Sequence, residues 1–166
     1  FAIFALAKSW ERGRSMTTNG NGAASHGYFF EDLAVGMEAS YAKKISNEDV
    51  LAFADLSGDT NPVHLDDAYA AGTIFKQRIA HGFLTASLIS TVLGTKLPGP
   101  GCIYLSQNLK FRAPVRIGDE VVATAKITSL DPEKGRAVLA TECAVNGKSV
   151  LDGEAVMMVP RRDPRS

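Results

Sequence analysis

Hydrophobic and polar positions change period several times along this chain, and each change marks an element. Residues 16–27, Met-Thr-Thr-Asn-Gly-Asn-Gly-Ala-Ala-Ser-His-Gly, are small and polar without an apolar period, the composition of a flexible lead-in. Ordered structure is predicted from Tyr28, where Phe29, Phe30, Leu33 and Val35 lead into a strand over residues 37–45. A helix should follow. Ser46 stands at the N-cap, Asp49 sits at the capping-box distance, Val50, Leu51, Phe53, Ala54 and Leu56 form an apolar stripe, and Gly58 ends it.

Residues 82–97 carry no charge until Lys96 and stop before Pro98. As a helix this run would be about 24 Å long, and a helix apolar on nearly every side must be buried over most of its surface. Four segments of β-type composition, 103–111, 120–130, 136–145 and 149–159, are available to cover it. Asp131-Pro132-Glu133-Lys134-Gly135 and Asn146-Gly147 are turn signals between consecutive segments, so these strands should be hairpin-connected and antiparallel. The pattern predicts an α+β domain over residues 28–160, a long buried central helix wrapped by a curved antiparallel sheet. An extension over 1–27 and a short tail over 161–166 flank it.

Composition narrows the classes. A chain of 166 residues, 45% of them hydrophobic, can bury one good core. Eighteen basic and eighteen acidic residues cancel, so nothing in the net charge draws in nucleic acid or a membrane surface, and an anionic ligand must be met locally. The apolar run at residues 1–7 is far shorter than the roughly 20 residues of a membrane span. Met16 reads as a natural start, with residues 1–15 vector-derived, translated from upstream, or a docking segment. Cys102 and Cys143 are too far apart for a C-x-x-C motif, and histidines at 26, 64 and 81 show no metal-ligand spacing. A metal-free, disulfide-free protein of the reducing cytoplasm is expected.

Polar residues gather between Gly58 and Gly82, in Asp59-Thr60-Asn61-Pro62-Val63-His64-Leu65-Asp66. Asp59 and His64, five residues apart, would not share a helix face, but a turn at Asn61-Pro62 can bring a carboxylate and an imidazole to one point. On spacing alone the plainer alternative, a helix-ending aspartate, an Asx-turn and an ordinary histidine, is the stronger one. His81-Gly82 falls at the start of the apolar helix, where free N–H groups carry partial positive charge and a glycine admits close approach. A carbonyl oxygen gaining negative charge would be stabilised there. Close helix-on-sheet packing would explain Gly82 equally well.

Gly58-Asp59-Thr60-Asn61-Pro62-Val63-His64, followed by Ala80-His81-Gly82 at the head of an apolar helix, resembles the MaoC-like, R-specific enoyl-CoA hydratases of the hot dog fold. The resemblance runs over residues 30–160 and includes Ile103-Tyr104-Leu105, Phe111-Arg112-Ala113-Pro114-Val115 and Gly118-Asp119-Glu120-Val121. It implies a hydro-lyase that reversibly hydrates trans-2-enoyl-CoA to (R)-3-hydroxyacyl-CoA. Asp59 and His64 would hold and activate one water, the Gly82 N–H would receive the thioester oxygen, and Asn61, His81 and Ser90 would support them. Ser90 shares a helix face with Phe83, although a serine bonded back to the preceding turn fits as well.

The resemblance further implies a homodimer joined sheet edge to sheet edge, and a substrate that carries coenzyme A, so that no separate cofactor is needed. Lys110, Arg112 and Arg116 could meet the coenzyme's phosphates, or simply form a solvated strand face. Residues 70–75 could help to set acyl-chain length. Three rival readings remain: a (3R)-hydroxyacyl dehydratase acting on acyl carrier protein, a non-catalytic acyl-thioester-binding subunit, and a hot dog thioesterase. Fatty-acid metabolism and polyhydroxyalkanoate precursor supply are both compatible pathways.

Overall fold

A computed structural model describes residues 26–163. The expectations for a flexible lead-in, a start at Met16 and the end of the C-terminal tail fall almost wholly outside these residues.

Local chemistry forms the first elements much as the pattern requires. Strand β1 (Glu38–Lys44) alternates exposed and half-buried positions. Helix α1 (Asn47–Ser57) opens on a reciprocal cap: Asp49 N–H donates to Ser46 Oγ at 3.1 Å, and Ser46 N–H donates to Asp49 Oδ2 at 2.9 Å. The Ser46 N–H holds the Asp49 carboxyl below the usual carboxylate range, and Lys43, 3.0 Å away, adds to the effect. The helix ends at Gly58, whose φ of +76° lets its N–H return to the Ala54 carbonyl at 2.9 Å. A side chain there would be strained, so glycine permits the sharp exit into the polar loop. Two short helices, α2 (Pro62–Leu65) and α3 (Asp67–Gly72), are capped by the side chains of Asn61 and Asp66.

The apolar run forms α4 (Gly82–Thr95), two residues shorter than predicted, because its last carbonyl-bonded turn closes at Lys96. Four further strands follow: β2 (Ile103–Phe111), β3 (Glu120–Asp131), β4 (Arg136–Val145) and β5 (Lys148–Met158). The expected hairpins join β3 to β4 and β4 to β5. The order in space, β1-β3-β4-β5-β2, departs from simple succession, because β2 pairs with β5 while β1 takes the edge beside β3. After β2 the chain therefore crosses to the far side of the sheet through residues 112–119. Arg112 and Ala113 N–H groups bond to the Val150 carbonyl at 2.8 and 3.2 Å, and Ala80 N–H bonds to the Val115 carbonyl at 2.8 Å. The crossover is thereby tied to the start of α4.

Leu84, Leu88, Ile89, Val92 and Leu93 of α4 join one core with Val121, Ala123, Ala125 and Ile127 of β3 and Leu139 of β4. Burying each of the leucine, isoleucine and valine side chains contributes about 1.5–3 kcal/mol. The opposite stripe, Phe83, Ser87, Ser90 and Gly94, stays exposed. The antiparallel sheet thus covers the buried face of the helix, and its five strands end at β2, whose Ile103, Tyr104, Leu105 and Phe111 are 51%, 39%, 42% and 54% exposed. The helix can lack charge all round because an uncharged stripe is left uncovered in the single chain.

Both cysteines are free, Cys143 fully buried and Cys102 half-buried. Burial, with the Glu142 charge adding to it, pushes the Cys143 thiol up to about 12. At mildly alkaline pH a disulfide-exchange dye should therefore label Cys143 only on unfolding, with Cys102 alone reacting in the native protein. Rapid labelling of two thiols per folded chain would contradict this packing.

Candidate active site

Gly58 releases the chain into a loop built from successive side-chain turns. Asp59 N–H donates to Ser57 Oγ, Asn61 N–H to Asp59 Oδ1, and Val63 N–H to Asn61 Oδ1, each at 3.2 Å. Asn61 thus orients Asp59 through its backbone N–H, while its amide side chain caps α2, where Pro62 occupies a position that needs no donor. One turn of α2 then carries His64 inward, where it is 9% exposed.

The His64 ring is fixed from the other side. Its Nδ1 lies 2.9 Å from the Ile79 carbonyl, which can only accept, so Nδ1 carries the hydrogen and the neutral ring keeps its lone pair on Nε2. Residue 79 is itself held. Its N–H reaches the Val63 carbonyl at 3.4 Å, and it bridges to Arg116 of the crossover. Next to it Arg78, with its side chain only 14% exposed, bonds to the Leu65 carbonyl at 3.2 Å and to the Asn47 side chain, and pairs with Asp67 at 3.3 Å. Arg78 was not singled out from sequence; an isolated arginine gives no local signal that it will cross-link three helices.

His81 is the N-cap residue of α4 and is 2% exposed. Its Nε2–H donates to the Asp59 carbonyl at 2.9 Å. Its ring lies against His64 with centroids 3.8 Å apart and planes 31° apart, and against Phe53 at 5.0 Å. His64 and His81, whose separation in sequence shows no metal-ligand spacing, are therefore in direct contact. One potential ligand atom from each of Asp59, His64 and His81 lies within 4.8 Å of the others.

His64 and Gly82 line one cavity of about 320 Å³ with Phe75, Ile79, Thr85, Val115 and Leu151. Gly82 is needed there for space: a Cβ would sit 2.7 Å from the Phe111 ring. The first N–H groups of α4 have no partners within the helix and face this end with partial positive charge. Thr85, buried one turn after Gly82, lies on the same helix face and was missed in the sequence reading.

Other expected residues fall elsewhere. Ser90 lines a neighbouring groove of about 690 Å³ with Phe53, Phe83, Ser87 and Tyr104, about 12 Å along α4 from Gly82. Phe111 borders both spaces, its ring 5.9 Å from that of Phe83. Of the three cations, Arg112 lines the His64 cavity but is bound through Nε and Nη2 to Asp152, at 2.6 and 3.1 Å. That hydrogen bond holds the Asp152 carboxyl below the usual carboxylate range. Lys110 lies beside Asn108, Lys126 and Glu154 on another surface, and Arg116 is exposed at the crossover. Among the residues lining the His64 cavity, Phe75 alone comes from the 70–75 segment expected to influence chain length.

No helix among the described residues is long and apolar enough to cross a membrane. The MaoC like domain matches residues 32–148. An (R)-specific enoyl-CoA hydratase from Rhodospirillum rubrum is 57% identical over 135 residues, covering 81% of this chain and 94% of that protein. A 3-hydroxybutyryl-CoA dehydratase from Methylorubrum extorquens is 54% identical, covering 81% and 86%. Among solved structures, an R-hydratase from Pseudomonas aeruginosa superposes with a TM-score of 0.78 at 47% identity, covering 82% of this chain and 88% of the other. An (R)-hydratase from A. caviae involved in PHA biosynthesis gives 0.76 at 46% identity, covering 78% and 99%. With its helix laid on an open five-stranded antiparallel sheet, and with these relatives, the chain belongs to the MaoC-like family and has the hot dog fold.

Proposed function

We propose that this protein is an (R)-specific enoyl-CoA hydratase, a hydro-lyase that adds water across the C2–C3 double bond of a trans-2-enoyl-CoA. The observation that carries the reading is the fixed tautomer of His64: the Ile79 carbonyl occupies Nδ1–H and leaves Nε2 with the lone pair of a base, in a residue that neighbours Asp59 and lines the cavity holding Gly82. A neutral imidazole is a suitable base near pH 7. Nε2 of His64 removes a proton from the water as its oxygen bonds to C3, and Asp59 accepts a hydrogen bond from the water's other O–H, which aligns the water and stays on the product hydroxyl. The electron pair of the double bond moves to the thioester oxygen, which receives the Gly82 N–H. The proton on Nε2 then passes to C2, which restores the base and balances the atoms. One donor of this oxyanion type is worth about 3–4 kcal/mol of barrier.

Coenzyme A enters as part of the substrate, and hydration without change of oxidation state calls for no separate cofactor. The CoA thioester follows both relatives described above and the R hand follows the Rhodospirillum rubrum one, whereas a 3-hydroxyacyl-[acyl-carrier-protein] dehydratase from Arabidopsis thaliana is 35% identical. Two free cysteines fit a cytoplasmic enzyme. A second copy of the chain is the proposed cover for the exposed stripe of α4 and the β2 edge, because an apolar open edge strand is an aggregation hazard unless paired.

Crotonyl-CoA supplied to the pure protein should lose its enoyl-thioester absorbance and yield the R product. Asp59→Asn and His64→Ala should each lower kcat about 10²- to 10⁴-fold with the fold intact by circular dichroism. A folded protein inert toward crotonyl-CoA and longer enoyl-CoAs would refute the hydratase reading. For His81, loss of the bond to the Asp59 carbonyl removes about 0.5–1.5 kcal/mol, so His81→Phe should cut kcat by roughly 2- to 12-fold and leave KM nearly unchanged. His81→Gln, which keeps a donor, should recover most of that loss; an equal loss in both variants would show that the bond is irrelevant. Light scattering should give twice the 17.7 kDa chain mass, and Leu105→Glu on β2 should reduce it to one chain.

A further inference from the structure

His64 and His81 share an arrangement that catalysis alone does not require. Each ring donates one N–H to a backbone carbonyl at 2.9 Å, His64 through Nδ1 to Ile79 and His81 through Nε2 to Asp59. In the neutral rings the remaining nitrogens, Nε2 of His64 and Nδ1 of His81, therefore both carry lone pairs. The second of these is buried and has no hydrogen-bond partner among the described residues. An ionised Asp59 also only accepts. Each of the three residues thus carries an acceptor, and one potential ligand atom from each lies within 4.8 Å of the others.

We propose that Asp59, His64 and His81 form a binding site for a borderline transition-metal dication, Zn²⁺ or Co²⁺, whose occupancy excludes the attacking water and reversibly inhibits the enzyme. The inhibition rests on the hydratase reading; the binding does not. Two imidazoles and one carboxylate are a recurring ligand set for such ions, and each imidazole already has the outer carbonyl partner that orients histidine ligands in metal centres. His81 supplies the independent sign of a ligand, since its buried lone pair is satisfied by a cation as it is by no side chain nearby.

Geometry also sets the strength. Tetrahedral bonds of about 2.0–2.2 Å separate ligand atoms by roughly 3.3–3.6 Å, so a spread of up to 4.8 Å must contract by about an ångström or more. The exposed Asp59 side chain can swing inward, but the stacked imidazoles, 31° apart in plane, cannot both point ideally at one ion without rotation. Binding in the micromolar range is expected, weaker than at a preformed structural zinc site.

The test is direct titration of the tag-free, metal-stripped full chain, with Co²⁺ followed by its visible absorption and Zn²⁺ by calorimetry. One ion per chain should bind, with affinity falling about tenfold or more in His64→Gln and in His81→Gln and unchanged in Cys102→Ser, which removes the half-buried thiol as a competing ligand. Crotonyl-CoA turnover should decline with the same midpoint and return on chelation. No binding at millimolar ion, or undiminished binding in both folded histidine variants, overturns the site. Binding without loss of turnover overturns the inhibition. A metal-free wild type without turnover refutes the hydratase reading while leaving the binding result intact.

Discussion

A helix without a charged side chain from Gly82 to Thr95 cannot stand alone in water, and the rest of this molecule is organised by the need to cover it. Burial against β1, β3 and β4 fixes its axis, and that fixes where its N-terminus emerges. The crossover from β2 to β3 passes that end and bonds to Ala80, so the free N–H groups are presented to a cavity rather than to bulk solvent. Sheet topology and oxyanion stabilisation are in this sense one constraint, because the long connection that places β2 beside β5 also walls the site.

The polar loop is held to the helix start by two crossed bonds. His64 reaches forward to the Ile79 carbonyl, and His81 reaches back to the Asp59 carbonyl. Each bond joins the segment that carries one reactive group to the segment that carries another. Stacking of the two rings adds a contact between the bonds, and Phe53 of α1 closes the far side. Asp59 remains exposed while His64 is buried, which suits a carboxylate that receives water from outside and a base that works within.

Local signals were the ones that could be read from sequence. Ser46 and Asp49 announced α1 because a capping box is a three-residue interaction, and Gly58 announced its end because the left-handed exit is a single-residue property. The β3-β4-β5 hairpins were legible from their turns. The pairing of β2 with β5 was not, since no short motif specifies a partner strand reached after two intervening strands. The same limit applies at the site. Asp59 and His64 lie within one motif, whereas the His64–His81 contact joins residues from different elements and appears only once Ile79 and the start of α4 are in place. Ser90 shows the converse: a shared helix face placed it near Phe83, yet the helix rise carried it into the adjoining groove.

Both imidazole tautomers are dictated by peptide oxygens, one at Ile79 and one at Asp59. Genetic substitution leaves a peptide oxygen in place whatever side chain it introduces, so alanine scanning would classify Ile79 as ordinary packing and miss that its carbonyl sets the proton inventory of the base. Only editing of the main chain reaches such a group, as when an ester replaces the 79–80 amide and weakens its acceptor. Part of this site's chemistry is consequently encoded in conformation rather than in residue identity, where sequence drift at position 79 can proceed without erasing it.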